Sequence, residues 1–97
     1  LDVPGVDAYF VGPYDLTGSL GIPGQFEHPD FLEAVEHIKA VARSENVPGG
    51  LHIVEPDHVK LKKSIEEGYS FIAYSIDIRM LDHMCRKALD HVSGVSR

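Results

Sequence analysis

The sequence predicts an α/β fold made of three consecutive βα units, in the order β-α-β-α-β-α. Three short runs of apolar, β-favouring residues recur along the chain, and each precedes a stretch with apolar residues at helical spacing. Glycine and proline residues separate the runs from these stretches. Strands that alternate with helices in this way favour a parallel sheet with helices packed outside it.

The first unit combines a buried strand with a long connection. Val6–Gly12 is almost continuously apolar, as is typical of a parallel strand covered on both faces. The following segment, Pro13–His28, contains so many glycines and prolines that we predict a loop without regular structure. A connection of this length is typical of loops that bind a ligand.

The middle of the chain predicts a helix, a strand and a second helix. Pro29 suits a first helical position, and this helix is expected to end near Glu45. Leu51–Val54 is a short β-branched strand. The second helix is expected to open at Pro56 and Asp57 and to stop at Gly68, although its apolar content is thin.

The last unit has the strongest helical pattern. Tyr69–Ile76 predicts a strand, and Asp77 follows it, where it could be a helix N-cap or an active-site residue; we favour the cap. Two methionines and the single cysteine belong to an apolar stripe that indicates packing rather than a soft-metal site. The stripe comprises Met80, Leu81, Met84, Cys85, Ala88, Leu89 and Val92.

Composition limits the classes of function. The chain has 97 residues, which fit one small domain over residues 1–97, and a formal charge of −6. Its dense basic run, Lys60, Lys62 and Lys63, has no interleaved aromatic residues, which argues against nucleic acid as a partner. No apolar run approaches the ~20 residues of a membrane span. A lone thiol, Cys85, fits a cytoplasmic setting.

An open three-stranded parallel sheet would leave two bare edges, which invite association. Five more βα units would close the sheet, so we expect a partial domain that is part of a (β/α)8 barrel. A small doubly wound domain is the alternative. The sequence begins at Leu1 without an initiator methionine, which we interpret as a fragment.

The segment after the first strand contains the candidate site. Ligands of α/β folds collect at the carboxyl ends of the strands, where this chain has Gly12, Pro13, Tyr14 and Asp15. The Asp15 carboxylate could ligate a hard divalent cation, and the neighbouring amides could receive an anionic oxygen. Alternatively, Asp15 only caps the turn.

A long stretch of the sequence, Val3–Gly21, resembles the HpcH/HpaI family of aldolases. The resemblance continues in order through Gly50–His52 and Glu67–Ala73 to Asp77. Thr17 stands where the family usually has serine, and Tyr14 where many members have alanine. Neither change removes the carboxylate of Asp15.

The resemblance implies a (β/α)8 barrel of the phosphoenolpyruvate/pyruvate-binding type, of which this chain would be the last three βα units. In it, Asp15 and a glutamate from an earlier strand would hold Mg²⁺ or Mn²⁺, with Co²⁺ a further candidate. Pyruvate would chelate this metal, assisted by the backbone amides of Tyr14 and Asp15. The implied reaction is the reversible cleavage of a 4-hydroxy-2-oxo acid to pyruvate and an aldehyde, with the metal as Lewis acid.

Other parts of the implied site lie before Leu1, including the glutamate, a proton-transferring histidine and an arginine. We therefore predict no catalytic residue in this chain, and no turnover by the chain alone. His52 is expected either to contact substrate or to be a hydrogen-bonded core residue. His28 is expected to cap a helix or lie at the surface. The family also implies a hexamer, a trimer of dimers, in which the last helix forms an interface.

Two alternatives to the aldolase stay open. The same barrel and metal could act on a CoA thioester, as in the citrate lyase β and malyl-CoA lyase relatives. The chain could instead be a non-catalytic βα module for binding or assembly, in which case it should fold stably without metal or partner.

Overall fold

The computed structural model describes residues 1–94, and its elements follow the βα order that the sequence predicts. Three strands form the sheet: β1 (Tyr9–Val11), β2 (Gly49–Ile53) and β3 (Phe71–Tyr74). Four helices connect or follow them: α1 (Pro13–Ser19), α2 (Pro29–Ser44), α3 (His58–Glu66) and α4 (Asp77–Val92). Strands β1 and β3 are shorter than predicted, whereas β2 begins two residues earlier and ends one residue earlier than the predicted Leu51–Val54. Helix α2 agrees with its expected bounds.

The sheet is parallel, with the order β1-β2-β3. Phe10 pairs with Gly50, which pairs in turn with Phe71, so these three residues share one face. We call this the open face, because Phe10 and Phe71 are 45% and 61% exposed although their ring centroids lie 5.4 Å apart. The helices cover the opposite face, where Val11 and Ile53 are buried.

Helix α1 corrects the prediction of an irregular loop over Pro13–His28. Pro13 occupies a first-turn position, where the missing N–H costs no helical hydrogen bond. Gly18 is tolerated because the helix has only seven residues and ends immediately after it. Gly21, with φ +76°, then turns the chain into the remaining connection.

The helix termini agree with the sequence in three of four cases. The His28 ring accepts a hydrogen bond from the Asp30 amide at 3.1 Å, so His28 is the N-cap of α2. Asp57 caps α3 through the amides of Val59 and Lys60, and Gly68, with φ +99°, ends that segment. The prediction for Asp77 was wrong: Ile76 is the N-cap, and Asp77 is the first helical residue.

Helix α4 has no buried side chain. The described part of the chain measures 63 × 27 × 21 Å, so the molecule is elongated. Met80, Met84 and Cys85 are exposed, so the described part of the chain leaves the apolar stripe uncovered. A bidentate ion pair joins α4 to the body, with Arg79 Nε and Nη2 at 2.8 and 3.0 Å from the Glu55 carboxylate. This pair lowers the pKa of Glu55.

On the helix-covered face, Lys39 lies between two carboxylates and a tyrosine. Its Nζ is 3.3 Å from Glu36 and 3.3 Å from Glu67, and 5.5 Å from the centre of the Tyr69 ring. Burial alone would lower the pKa of Lys39, but Tyr69 and the two carboxylates raise it. Burial raises the pKa of the Tyr69 hydroxyl. These contacts link α2 to the end of α3.

The substitution Gly50→Ala tests the close approach of the strands on the open face. A Cβ here would meet the carbonyl oxygen of Phe71 and lie 3.0 Å from the Phe10 ring. We expect urea denaturation to show a loss of about 1–3 kcal/mol in the free energy of unfolding. The control Gly18→Ala has open space around its Cβ and should be neutral or stabilising. Equal effects of the two substitutions would contradict this packing.

We expect the stability of the chain at alkaline pH to depend on the Tyr69 hydroxyl. In the unfolded chain this hydroxyl ionises near pH ~10, whereas burial raises its pKa in the fold. The contribution of the protonated Tyr69 hydroxyl to the free energy of unfolding is therefore fully present below the unfolded-state pKa. It is lost as pH rises through the folded-state pKa. Tyr69→Phe should flatten the decline in urea midpoint above pH ~10. An unaltered profile in Tyr69→Phe would refute the assignment.

Candidate metal and substrate site

Asp15 lies where the sequence predicts, at the carboxyl end of β1. It belongs to the first turn of α1, and its side chain is exposed. Its Oδ2 occupies space that a side chain at Gly12 would need, because a Cβ there would lie 2.9 Å from this oxygen. The glycine thus lets the carboxylate fold back over the turn.

The first amides of α1 are available to a ligand. The helical hydrogen bonds begin at Leu16, whose N–H donates to the Gly12 carbonyl at 2.9 Å. Tyr14 and Asp15 precede it in the first turn, where backbone N–H groups have no helical acceptor. Within residues 1–94, the N–H groups of Tyr14 and Asp15 donate no hydrogen bond to a backbone carbonyl in a turn, loop or helix cap.

Thr17 holds this turn together, a role that the sequence reasoning missed. Its side chain is fully buried, with Oγ1 at 3.0 Å from the Pro13 carbonyl oxygen and 3.1 Å from that of Tyr14. The same oxygen accepts the N–H of Gly24 at 3.0 Å. Thr17 therefore fixes α1 to the connection that follows it. The available signal was a hydroxyl four residues after Pro13, within reach of its carbonyl.

Aromatic rings extend the site toward α2. Tyr14 meets Phe26 edge-on, with ring centroids 4.9 Å apart, and Phe26 lies 5.5 Å from Phe31. Pro13, Tyr14 and His52 line one cavity of about 260 Å³ together with these rings. Three of the five predicted binding residues therefore share this cavity.

His52 occupies the carboxyl end of the central strand and is half-buried. Its Nε2 lies 3.0 Å from the carbonyl oxygen of Ser75, the residue that precedes the N-cap of α4. Ser75 has φ +60°, a left-handed conformation that is uncommon for a residue other than glycine. His52 is thus held by a hydrogen bond, as one of its two predicted alternatives requires.

The other two predicted residues, Gly12 and Asp15, border a second cavity of about 630 Å³. Leu1, β1, α1 and α2 line it, and no residue of β2 or β3 among those described contributes. Since β1 pairs with β2 on its other side, this cavity lies along the unpaired side of β1.

The donor type of Asp15 fits a hard divalent cation, but the number of donors does not complete a site. Such cations take six or more oxygen ligands, several of them from carboxylates or waters. Within residues 1–94, no group of three histidine, cysteine, aspartate or glutamate side chains could hold a metal ion. The described part of the chain therefore does not form a complete metal site by itself. Asp15 is the one metal ligand that the sequence predicts in it.

Known proteins carry the same pattern over nearly the whole chain. The model of the HpcH/HpaI aldolase/citrate lyase family matches residues 1–84. The chain belongs to this family. Two crystal structures agree. An HpcH/HpaI aldolase/citrate lyase family protein from Burkholderia cenocepacia superimposes with a TM-score of 0.81 at 35% identity, and an HpcH/HpaI aldolase from Desulfitobacterium hafniense with 0.83 at 32%.

Among HpcH/HpaI relatives, the hydroxypyruvate/pyruvate aldolase of Sagittula stellata is 43% identical over 79 residues. The 5-keto-4-deoxy-D-glucarate aldolase of Klebsiella pneumoniae is 35% identical over 86 residues. These matches cover 81% and 89% of this chain but 30% and 33% of the relatives. The structural matches likewise cover 94% and 97% of this chain and 35% and 36% of the solved ones. The chain therefore spans about a third of the length of these family members.

The described helices of this family member give no membrane span, since none is both long and apolar enough to cross a bilayer.

The buried hydroxyl of Thr17 should be required for the turn that carries Asp15. Thr17→Val keeps the shape but leaves the Gly24 amide without its acceptor, at an expected cost of about 1–3 kcal/mol. Thr17→Ser keeps the hydroxyl and should lose only the smaller contribution of one methyl group, about 1 kcal/mol. Urea denaturation checks both values. A valine variant as stable as the serine variant would contradict the role of this hydrogen bond.

Proposed function

We propose that this chain forms the last three βα units of a (β/α)8 barrel that cleaves 4-hydroxy-2-oxo acids to pyruvate and an aldehyde. The observation that carries the proposal is the place of Asp15, a carboxylate at the carboxyl end of β1 that borders a cavity on the unpaired side of that strand. A preceding βα unit would lie along this side, where it could contribute the second carboxylate.

In this proposal Asp15 holds Mg²⁺ or Mn²⁺ together with a glutamate from outside the chain. The bound ion would act as a Lewis acid for the enolate of pyruvate. The amides of Tyr14 and Asp15 bind the carboxylate of the substrate, since they have no helical acceptor. Thr17 keeps these amides in place through its bonds to the Pro13 and Tyr14 carbonyls.

His52 completes the part of the pocket that this chain supplies. It shares a cavity with Pro13 and Tyr14, next to the turn that carries Asp15. Gly12 contributes by leaving room for the carboxylate of Asp15. The proposal therefore assigns substrate binding to Gly12, Pro13, Tyr14, Asp15 and His52, and metal binding to Asp15.

An oxo acid is favoured over a CoA thioester because the similar relatives are named as aldolases of hydroxypyruvate, pyruvate and 5-keto-4-deoxy-D-glucarate. An assay with malyl-CoA as a second substrate separates the two reactions.

We further propose that the protein is a cytoplasmic homo-oligomer in which other subunits cover the apolar stripe of α4, since Leu81, Met84 and Leu89 are each at least 60% exposed.

Asp15→Asn tests the proposal in a polypeptide that joins the preceding βα units to Leu1. Loss of a metal-ligating carboxylate should reduce Mg²⁺- or Mn²⁺-dependent pyruvate release by roughly 100-fold or more. The control is Asp30→Asn, which alters an exposed first-turn aspartate of α2 and should change the rate by less than about twofold.

The rate is followed by coupling pyruvate to lactate dehydrogenase, with 4-hydroxy-2-oxo acids and malyl-CoA as separate substrates. Pyruvate release that survives Asp15→Asn at the same metal concentration would contradict the metal role. Cleavage of malyl-CoA alone would favour the thioester reaction. If neither substrate is cleaved and the 97-residue chain folds stably alone, the non-catalytic module replaces both.

A further inference from the structure

His52 is unusual among the paired residues of the open face. The other described members of that face in the strand register are Phe10, Gly50, Phe71 and Ala73, which carry no polar side-chain atom. His52 pairs with Ala73, and it lies one position beyond Leu51, the partner of Val11. Its partner Ala73 and the preceding residue of β2 on this face, Gly50, therefore have small side chains or none.

Ser75 holds the end of β2 at three consecutive residues. Its N–H donates to the Ile53 carbonyl at 2.6 Å, and its hydroxyl donates to the Val54 carbonyl at 2.8 Å. Its own carbonyl oxygen lies 3.0 Å from Nε2 of His52. A non-glycine residue persists in the left-handed region only where its surroundings determine it strongly, and these three bonds do so.

The bond to Ser75 determines where the proton of the imidazole lies. A carbonyl oxygen can only accept, so Nε2 of His52 must carry the hydrogen. In the neutral ring Nδ1 then has a lone pair and can only accept. No hydrogen bond of Nδ1 is present within residues 1–94. The ring is thus oriented by one nitrogen and offers the other as an acceptor.

We infer that Ser75 is a positioning residue that fixes the tautomer of His52, and that Nδ1 of His52 accepts a hydrogen bond from a hydroxyl group on the aldehyde portion of the substrate. A neutral acceptor recognises a hydroxyl, whereas a carboxylate or carbonyl would offer it no proton. This inference rests on the proposed function for the identity of the ligand. The tautomer itself does not depend on that function.

The first experiment reads the tautomer. Histidine is labelled with ¹⁵N, and long-range ¹H–¹⁵N spectra are recorded at pH ~8.5, where imidazole is neutral. Loss of one signal set in His52→Gln assigns the ring. We expect a single Nε2–H form for His52, and a mixed population in Ser75→Ala, which removes the hydroxyl bond to Val54. If the chain alone gives no dispersed amide spectrum, the polypeptide with the preceding units is used.

A protonated Nδ1 in the wild type would overturn the inference. So would an unchanged single form in Ser75→Ala, because it would mean that the serine clamp does not set the tautomer. The conservative variant Ser75→Asn tolerates a left-handed backbone and retains a donor for Val54. It should restore the single form.

The second experiment separates the two nitrogens of His52. Gln places its amide near the position of Nε2 and can still donate to Ser75, whereas Asn places an acceptor near Nδ1. With pyruvate as the donor substrate, glycolaldehyde and acetaldehyde differ by one hydroxyl. His52→Gln should lower the kcat/KM preference for glycolaldehyde about fivefold, as expected for loss of one neutral hydrogen bond. His52→Asn should keep most of it.

Equal loss toward both aldehydes in both variants would overturn the acceptor role and leave His52 a packing residue. If the extended polypeptide forms no aldol product at all, the proposed function fails, while the nitrogen spectra still decide the Ser75–His52 relation. The two failures are therefore distinguishable.

Discussion

The unpaired edges of the three-stranded parallel sheet are the main constraint on the rest of this structure. Each outer strand pairs on one side only, and Phe10 and Phe71 remain exposed on the open face. A parallel sheet is normally buried on both faces and at its edges. Members of its family that are about three times as long contain this same substructure, with TM-scores of 0.81 and 0.83. The exposed edges and face are therefore surfaces along which further βα units can pack.

The candidate site depends on the same constraint. Asp15 lies in the short helix α1, and Thr17 joins this helix to the connection that follows it through hydrogen bonds with Pro13 and Gly24. These bonds fix the position of the turn that contains the Asp15 carboxylate. The cavity that it borders lies on the unpaired side of β1, and one carboxylate does not complete a hard-metal site. His52, on the central strand, has neighbours on both sides and is positioned within the chain through Ser75. In the proposed function, the chain supplies one part of the pocket, and residues beyond the unpaired side of β1 would supply the rest.

Hydrophobic periodicity was sufficient to predict the three parallel strands, α2 and the place of Asp15 at a strand end. It failed at α1, because Pro13 and Gly18 signal a break in a pattern, although each is tolerated in a seven-residue helix. The role of Thr17 could not be predicted from the sequence, because its hydroxyl oxygen accepts the N–H of Gly24 only when the connection after α1 folds back onto this helix. The link between His52 and Ser75 was also hidden, since it joins residues 23 positions apart and needs a left-handed serine. The apolar residues of α4 have the spacing of a core stripe, yet they are exposed. Hydrophobic periodicity predicts an apolar stripe but does not say whether the chain itself or another molecule covers it.

Amide hydrogen exchange at β1 tests most directly whether further βα units close this edge. The Tyr9 N–H donates to Pro48 on the paired side, and amides alternate in direction along a strand, so the Phe10 N–H faces the unpaired side. Exchange is measured in the 97-residue chain and in a polypeptide in which the proposed preceding βα units are joined to Leu1. We predict that the Phe10 amide exchanges fast in the chain alone and slowly in the longer polypeptide, while the Tyr9 amide is protected in both. Equal, fast exchange of the Phe10 amide in both polypeptides would contradict the account, because it would mean that no strand pairs with this edge.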